Sequence, residues 1–522
     1  MQTDPAFTIF EVLRCGKTQI KFAFALGLIA IFDFVLDTSP RQSTNKFVFA
    51  LGLIPIFDFV LDTPPRQSTN KFVFCPRLNR IFAEDRRRFG NLYVPIRAIA
   101  IILLSLQKRF RPVDLSIKCQ RATERDNEKI ELYDLVSASP LPAFAGVDFL
   151  FYRVRMRRHS ERLRRAFVWF AVFSDALPIV VVLLLKAVPD NTTGWMQAAQ
   201  WFTFVFLLLI GCRYGYYFGL LFDRHRSFSR VGALFAVGCA VWLVWGAAWG
   251  RQALRVNEVE IRTAALPAAF DGFRIVQFSD LHIGTLVRPE REMNRLVDTI
   301  NALRPDLVVF SGDLVNVRST ELTSDVLAIL GRLRAPYGVI STLGNHDVGL
   351  YIKDTVALPR AENNRQVIDR QRKIGWRMLL DSTLYLRRGS DSISVTGISF
   401  DPTLQKFRHS FDLPEISLAT AYEGMPEGMF NLTVSHLPQL WPNITALGRG
   451  NLTLAGHVHS MQIKGHLFGR AFSPAQLMYD RWSGRYDDAA GNTLYINDGI
   501  GYVGFPMRLG ADPEITLFTL KK

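Results

Sequence analysis

The hydrophobic positions along this chain fall into three differently patterned regions. From Ala166 to Gly250 they run almost unbroken in three blocks, Ala166–Ala187, Ala198–Leu221 and Val231–Gly250. Each has the length and composition of a membrane-spanning helix, which needs ~20 apolar residues. Asp175 and Arg213 interrupt the first two blocks. A charge at mid-membrane costs ~2.5–3.5 kcal/mol on insertion scales. These two are therefore expected to help the helices pack or to snorkel; a transport or proton path is the sharper alternative.

The region before these blocks is dominated by a repeat. Lys21–Asn45 and Lys46–Asn70 differ only at Ala23/Val48, Ala30/Pro55 and Ser39/Pro64, and a third copy begins at Lys71. Structural repeats keep a hydrophobic skeleton while their surfaces drift, so two near-identical copies and a stub look like a recent duplication. Each copy's apolar run is short for a span and is broken by Asp33 or Asp58. Residues 1–155 are accordingly read as a poorly ordered extension upstream of the true start, with Met156 one candidate start; a folded regulatory domain is the alternative. Residues 156–250 are the membrane region.

After residue 250 the pattern shifts to short β-rich runs alternating with helical spacing. Phe273–Phe278, Leu307–Ser311, Val339–Leu343, Ile393–Ile398, Leu432–Ser435 and Leu452–Ala455 read as strands. Pro289–Leu303 and Pro359–Ile374 read as helices, with proline near the start where it fits the first turn. This alternation predicts an α/β layered domain over 251–522, with loops at strand ends carrying any site.

Charge changes the picture mainly by its location. The net charge is +15, and nearly all of the excess falls in residues 1–250, so nothing in the C-terminal half asks for a nucleic-acid groove. The cluster Arg153–Arg165 precedes the first apolar block and Asp223–Arg230 separates the second and third, whereas Pro189–Gly194 has almost no basic charge. The positive-inside rule makes the basic segments cytoplasmic and delivers residue 251 onward to the outer face. The five cysteines, Cys15, Cys75, Cys119, Cys212 and Cys239, all precede that half, which excludes a disulfide framework there.

Five of the nine histidines cluster in motifs at the predicted strand ends. In order these are Asp280-Leu281-His282, Gly312-Asp313, Gly344-Asn345-His346-Asp347, Ser435-His436 and Gly456-His457-Val458-His459. On an extended backbone Asp280/His282 and His457/His459 would point the same way and reach one metal. Carboxylate, imidazole and amide donors form a mixed set suited to manganese, iron or zinc and unlike a thiolate structural site. Any one of these motifs alone is more often a turn or a surface pair. Five of them, each at a strand end and in this order, are hard to produce by chance.

That order resembles the calcineurin-like metallophosphoesterases over Asp280 to His459. Ser473-Pro474, Arg481–Gly484, Gly501–Gly504 and Pro513–Thr516 resemble the family's bacterial membrane-associated or exported branch. The resemblance implies a four-layer α-β-β-α sandwich and two divalent metal ions. Asp280, His282 and His459 would hold the first ion, Asp313 would bridge, and Asn345, His436 and His457 would complete the second site. His346 would be the proton donor, with Asp347 as its orienting partner. Where that branch carries Gly-Gly-Gln after its last motif, this chain has Ser460-Met461-Gln462.

Two cations ~3.5–4 Å apart neutralise phosphoryl oxygens and lower the pKa of a bridging water. The reading is therefore a membrane-anchored hydrolase of phosphomonoesters or phosphodiesters at a bacterial inner membrane, and anchoring also suits a phospholipid or other lipid-linked substrate. The alternatives are a pyrophosphate hydrolase of a lipid or nucleotide conjugate and a non-catalytic membrane metal sensor.

Overall fold

The computed structural model describes residues 19–22, 32–35, 141–223, 228–407, 413 and 416–522. Most of the expected extension, including all of the second repeat copy, lies outside these residues. Within the first copy and just before it, β1 (Gln19–Phe22) and β2 (Phe32–Val35) pair antiparallel.

Four helices follow: α1 (Leu141–Val154), α2 (Glu161–Ala187), α3 (Thr193–Gly219) and α4 (Arg230–Ala248). The last three are long and apolar enough to cross a membrane. At 1.5 Å per residue the 27 residues of α2 or α3 span about 40 Å. Helices α3 and α4 pack through a stripe of small residues. A Cβ at Gly211 would come 2.8 Å from Leu243 Cδ1, one at Gly215 2.8 Å from Cys239 Sγ, and one at Gly219 2.5 Å from the Gly232 Cα. Glycine at four-residue spacing lets the two backbones approach where no side chain fits.

Arg213 is buried with its charge paired. Its Nη2 lies 2.5 Å from Asp175 and 3.1 Å from Asp148, and its Nη1 donates to Ser174 at 2.6 Å. Asp148 also accepts from the Tyr217 hydroxyl at 2.6 Å. Paired buried charges are the packing arrangement expected of Asp175 and Arg213. Asp148 belongs to α1, so a division of the chain after residue 155 separates Arg213 from one of its two carboxylate partners.

Two six-stranded mixed sheets and a two-stranded one, with the helices between them, make up the rest. Their elements, in order, are β3 (Arg255–Arg262), β4 (Arg274–Phe278), α5 (Pro289–Ala302), β5 (Leu307–Phe310), α6 (Ser324–Leu330), β6 (Val339–Ser341), α7 (Arg360–Lys373) and β7 (Arg377–Met378). There follow β8 (Ser382–Arg388), β9 (Asp391–Ile398), β10 (Asn431–Ser435), α8 (Trp441–Ala446), β11 (Leu452–Ala455), β12 (Gly465–Leu467), β13 (Arg470–Phe472), β14 (Gly484–Asp487), β15 (Thr493–Ile496) and β16 (Glu514–Lys521). One sheet has the order β3-β16-β4-β5-β6-β7 and the other β14-β15-β11-β10-β9-β8. β4 to β7 are parallel, as are β9, β10, β11 and β15.

The core shows why these runs are strands. β5 reads Leu-Val-Val-Phe and is buried on both faces, as parallel strands covered on two sides are. Its Val308 faces Met293, Leu296 and Ile300 of α5, while the next residue, Val309, faces Val395, Leu432 and Leu454 of the other sheet. On the far side of the second sheet, Leu494 and Ile496 pack under Trp441 and Trp482. The layers run helices, sheet, sheet, and then α8 with its neighbouring turns.

Sequence periodicity did not reveal β3, β8, β15 or β16. The C-terminal β16 inserts between β3 and β4, pairing parallel with β3 over eight residues and antiparallel with β4. Helix α4 also packs against this region. Leu243 and Ala247 of α4 and Phe204 of α3 cluster with Met507 and Leu509. A Cβ at Gly250, just past α4, would collide with the Arg508 carbonyl.

Candidate functional site

Each of the five motifs with candidate ligands leaves the carboxyl end of a parallel strand. Asp280 and His282 follow β4, Asp313 follows β5, Asn345 to Asp347 follow β6, His436 follows β10, and His457 and His459 follow β11. Side chains from both sheets therefore meet in the crevice at the strand ends, where open α/β sheets bind ligands.

The local backbone differs from the expected extended one. Asp280, His282, Asp313, His457 and His459 have φ of 55°, 43°, 61°, 76° and 54°. Each occupies the left-handed region, which non-glycine residues rarely adopt and which clusters at functional sites. The backbone therefore leaves the extended conformation within two to four residues of each of these strands, and the side chains converge through these turns instead of through strand alternation. Glycines make the crowding possible. A Cβ at Gly344 would collide with the Asp313 carboxylate, and one at Gly456 with Ser279 and Asp280.

The donor atoms form three overlapping groups: Asp280 with His282 and His459, His282 with Asp313 and His346, and Asp313 with His436 and His457, each within 4.8 Å. His459 Nε2 lies 3.1 Å from Asp280 Oδ1 and 3.1 Å from His282 Nε2. Asp313 Oδ2 lies 3.7 Å from His282 Nε2 and 3.0 Å from His436 Nε2. Asn345 Oδ1 lies 3.1 Å from His436 Nε2 and 2.9 Å from His457 Nδ1.

This set fits divalent cations. His436 Nδ1 lies 2.9 Å from the Ser311 carbonyl, which can only accept, so Nδ1 carries a hydrogen and Nε2, facing Asp313 and Asn345, is the nitrogen that a cation would take in place of a proton. A backbone acceptor that fixes the tautomer in this way is characteristic of metal-binding histidines. Two imidazole nitrogens, His282 and His459, close on one carboxylate oxygen make a geometry that a shared cation relieves.

Burial shapes the charges further. It pushes His282 down to about 4. At Asp280 burial acts upward, but His459 and His282 outweigh it and hold the carboxyl well below its usual range. At Asp313 burial is likewise outweighed, by His436 and His346. Burial alone would lower His436, yet Asp313 lifts it to about 9. Ionised carboxylates among imidazoles are what a cation site requires.

Asp347 does not orient His346. Its carboxylate accepts the backbone N–H groups of Asp313 at 2.9 Å, Leu314 at 2.8 Å, Val315 at 3.1 Å and Gly344 at 2.9 Å. It ties the β5 and β6 loops together from behind. His346 is held instead by the Asn316 carbonyl, 2.6 Å from its Nδ1, and its own N–H donates to Asp313 at 2.8 Å.

Sequence reasoning also missed Tyr351, Asn316 and Arg508. The Tyr351 ring stacks on His346 with centroids 4.3 Å apart. The fully buried guanidinium of Arg508 lies 3.2 Å from His459 Nδ1 and donates to the carbonyls of Gly501, Asp498 and Ala511. Position in the motif could have flagged Tyr351, four residues past Asp347; nothing local marks the other two. Ser460, Met461 and Gln462, where the related branch carries Gly-Gly-Gln, have φ of 50°, 45° and 62°. The turn keeps a glycine-like backbone, and the Ser460 hydroxyl is anchored on Asp498 at 2.6 Å.

Residues 273–461 match the family of calcineurin-like phosphoesterases. The chain is 28% identical over 277 residues to an uncharacterized metallophosphoesterase, YkuE, of Bacillus subtilis, covering 51% of this chain and 86% of that protein. It is 29% identical over 311 residues to a transmembrane protein with metallophosphoesterase domain of Bos taurus, covering 57% of this chain and 64% of that one. Over 120 residues it is 30% identical to the UDP-2,3-diacylglucosamine pyrophosphatase of Chlamydia muridarum, covering 23% and 36%. Behind three apolar helices, the layered α/β half of this chain thus contains, over residues 273–461, a region that matches the calcineurin-like phosphoesterases.

Proposed function

We propose that this chain is a membrane-anchored phosphoesterase that hydrolyses phosphomonoesters or phosphodiesters with two divalent metal ions. Asp280, His282 and His459 hold one ion, Asn345, His436 and His457 the other, and Asp313 bridges. The observation that carries this reading is the position of Asp313 Oδ2 between His282 and His436, so that one carboxylate serves both halves of the cluster. Manganese, iron or zinc would each suit these donors. Bound together, two such ions supply the positive charge that a phosphoryl group needs and activate a water.

The remaining chemistry belongs to the protein. The Asn316 carbonyl holds one hydrogen of His346 on Nδ1, so in its doubly protonated form the ring carries a second at Nε2 and can give that one to the departing oxygen, ending as the neutral imidazole. A metal sensor has no use for such a donor, and this favours an enzyme. Asn345 binds as a neutral amide and leaves the site net positive for an anionic substrate. The three apolar helices favour a substrate at the membrane surface, phospholipids included, with the domain on the extracytoplasmic face. The Chlamydia relative keeps a pyrophosphate bond in a lipid conjugate as the second reading.

The test is a substrate panel. The full chain, purified in detergent and stripped by chelation, is loaded with each metal and given aryl phosphate monoesters, diesters, micellar phospholipids and a lipid-linked nucleoside diphosphate. Metal-restored hydrolysis of an ester is the expected result. Cleavage of the diphosphate alone would favour the second reading, and no hydrolysis with any metal would contradict both.

A further inference from the structure

Tyr351 lies outside the motifs, yet it touches two residues of the site. Its hydroxyl accepts from Asn345 Nδ2 at 2.9 Å and from Gln405 Nε2 at 2.8 Å. An amide is nearly symmetric in shape, and its two ends differ only in what they offer a cation. With Nδ2 drawn to the Tyr351 oxygen, Oδ1 is turned toward His436 and His457. Rotated by half a turn, Asn345 would present N–H groups to the ion and repel it. On the other side of the same ring, Tyr351 stacks on the His346 imidazole at an interplanar angle of 28°.

Tyr351 is held in turn by the segment joining α2 to α3. Asn191 Nδ2 donates to the Tyr351 carbonyl at 2.6 Å. Asn191 Oδ1 accepts from the Lys353 N–H and from Arg318 Nη2, each at 3.2 Å. Asp190 accepts from both terminal nitrogens of Arg318, at 2.6 and 2.5 Å, in the two-pronged geometry suited to guanidinium and carboxylate. The Lys353 ammonium donates to the Val188 carbonyl at 2.5 Å. The linker between two apolar helices is thus bonded onto the loop that carries Asn345 and His346.

We propose that Tyr351 is a positioning residue for the second metal site, orienting the Asn345 amide and the His346 ring, and that Asp190 and Asn191 latch it to the membrane segment. The inference rests on the two-metal reading. On it, the membrane part of the chain is more than a tether, because it braces one wall of the site.

Manganese binding to the full chain in detergent tests the proposal, read by calorimetry and electron paramagnetic resonance. Wild-type protein should bind two ions with a spin-coupled signal. Tyr351→Phe keeps the ring and loses only the acceptor. It should retain the first ion and bind the second about 10–100-fold more weakly, as losses of supporting groups around a metal ligand do. The coupled signal should give way to that of an isolated ion, and excess manganese should restore turnover. Tyr351→Leu also removes the stack, so its turnover should stay low at saturating manganese. Asn191→Ala, which removes a group bonded to Tyr351, Lys353 and Arg318, should weaken the second ion in the same direction. Two equally tight ions in Tyr351→Phe would overturn this inference alone. Fewer than two in wild type would overturn the two-metal reading and this inference with it.

Discussion

Five of the seven proposed metal ligands stand at positive φ, and for residues other than glycine such a conformation costs of order 1–3 kcal/mol each. The strain is sustained by what surrounds it. Asp347 alone accepts four backbone N–H groups from the two loops that present Asp313 and Asn345. Asp347→Ala strands those donors in the interior. Since each unsatisfied buried group costs about 1–3 kcal/mol, the variant should lose at least about 3 kcal/mol of stability in denaturant unfolding. An unchanged midpoint would show that the carboxylate is not structural. His346→Asn makes the opposite prediction, with stability and metal content near wild type. Turnover should fall ~10²–10⁴-fold for esters with poor leaving groups and much less for activated aryl esters. Equal losses on all substrates, or an emptied site, would place His346 among the ligands. The candidate ligands that the fold brings together were legible in the sequence because a candidate ligand is recognised by its residue type. The role of Asp347 was not, because its partners are main-chain groups that only the folded loops bring together.

The elements that carry motifs were the most legible. β4, β5, β6, β10 and β11 are apolar runs ended by glycine and polar residues, and α5 announces itself with Pro289 at its first turn. β16 and β3 were not legible, because they come from the two ends of the domain and pair with each other, and such pairing leaves no local signal in either segment. The packing of α3 on α4 was hidden for a related reason. Gly211, Gly215 and Gly219 read as unremarkable members of an apolar run until the facing helix shows the gap they create. Gly219→Val would force a side chain into the Gly232 backbone. It should lower the melting temperature of the detergent-solubilised chain without altering metal stoichiometry at low temperature. A variant as stable as wild type would show that the two helices do not depend on that contact.

Across the whole molecule, the contrast between an apolar block and a neutral α/β half was readable from composition, and the family resemblance from the order of the motifs. The dependence of one on the other was not. Arg213 is paired with Asp148 of α1, 65 positions away, and Tyr351 with Asn191, 160 positions away. Separations of that kind carry no pattern in a single chain. The proposed function rests on one requirement, that Asp313 hold two cations at once. Metal content of the purified full chain after manganese loading, measured beside Asp313→Asn, tests it most directly. The account predicts two equivalents and ester hydrolysis in wild type, with both metal occupancy and activity largely lost in the variant. Two equivalents of metal and near-normal turnover in Asp313→Asn would contradict it.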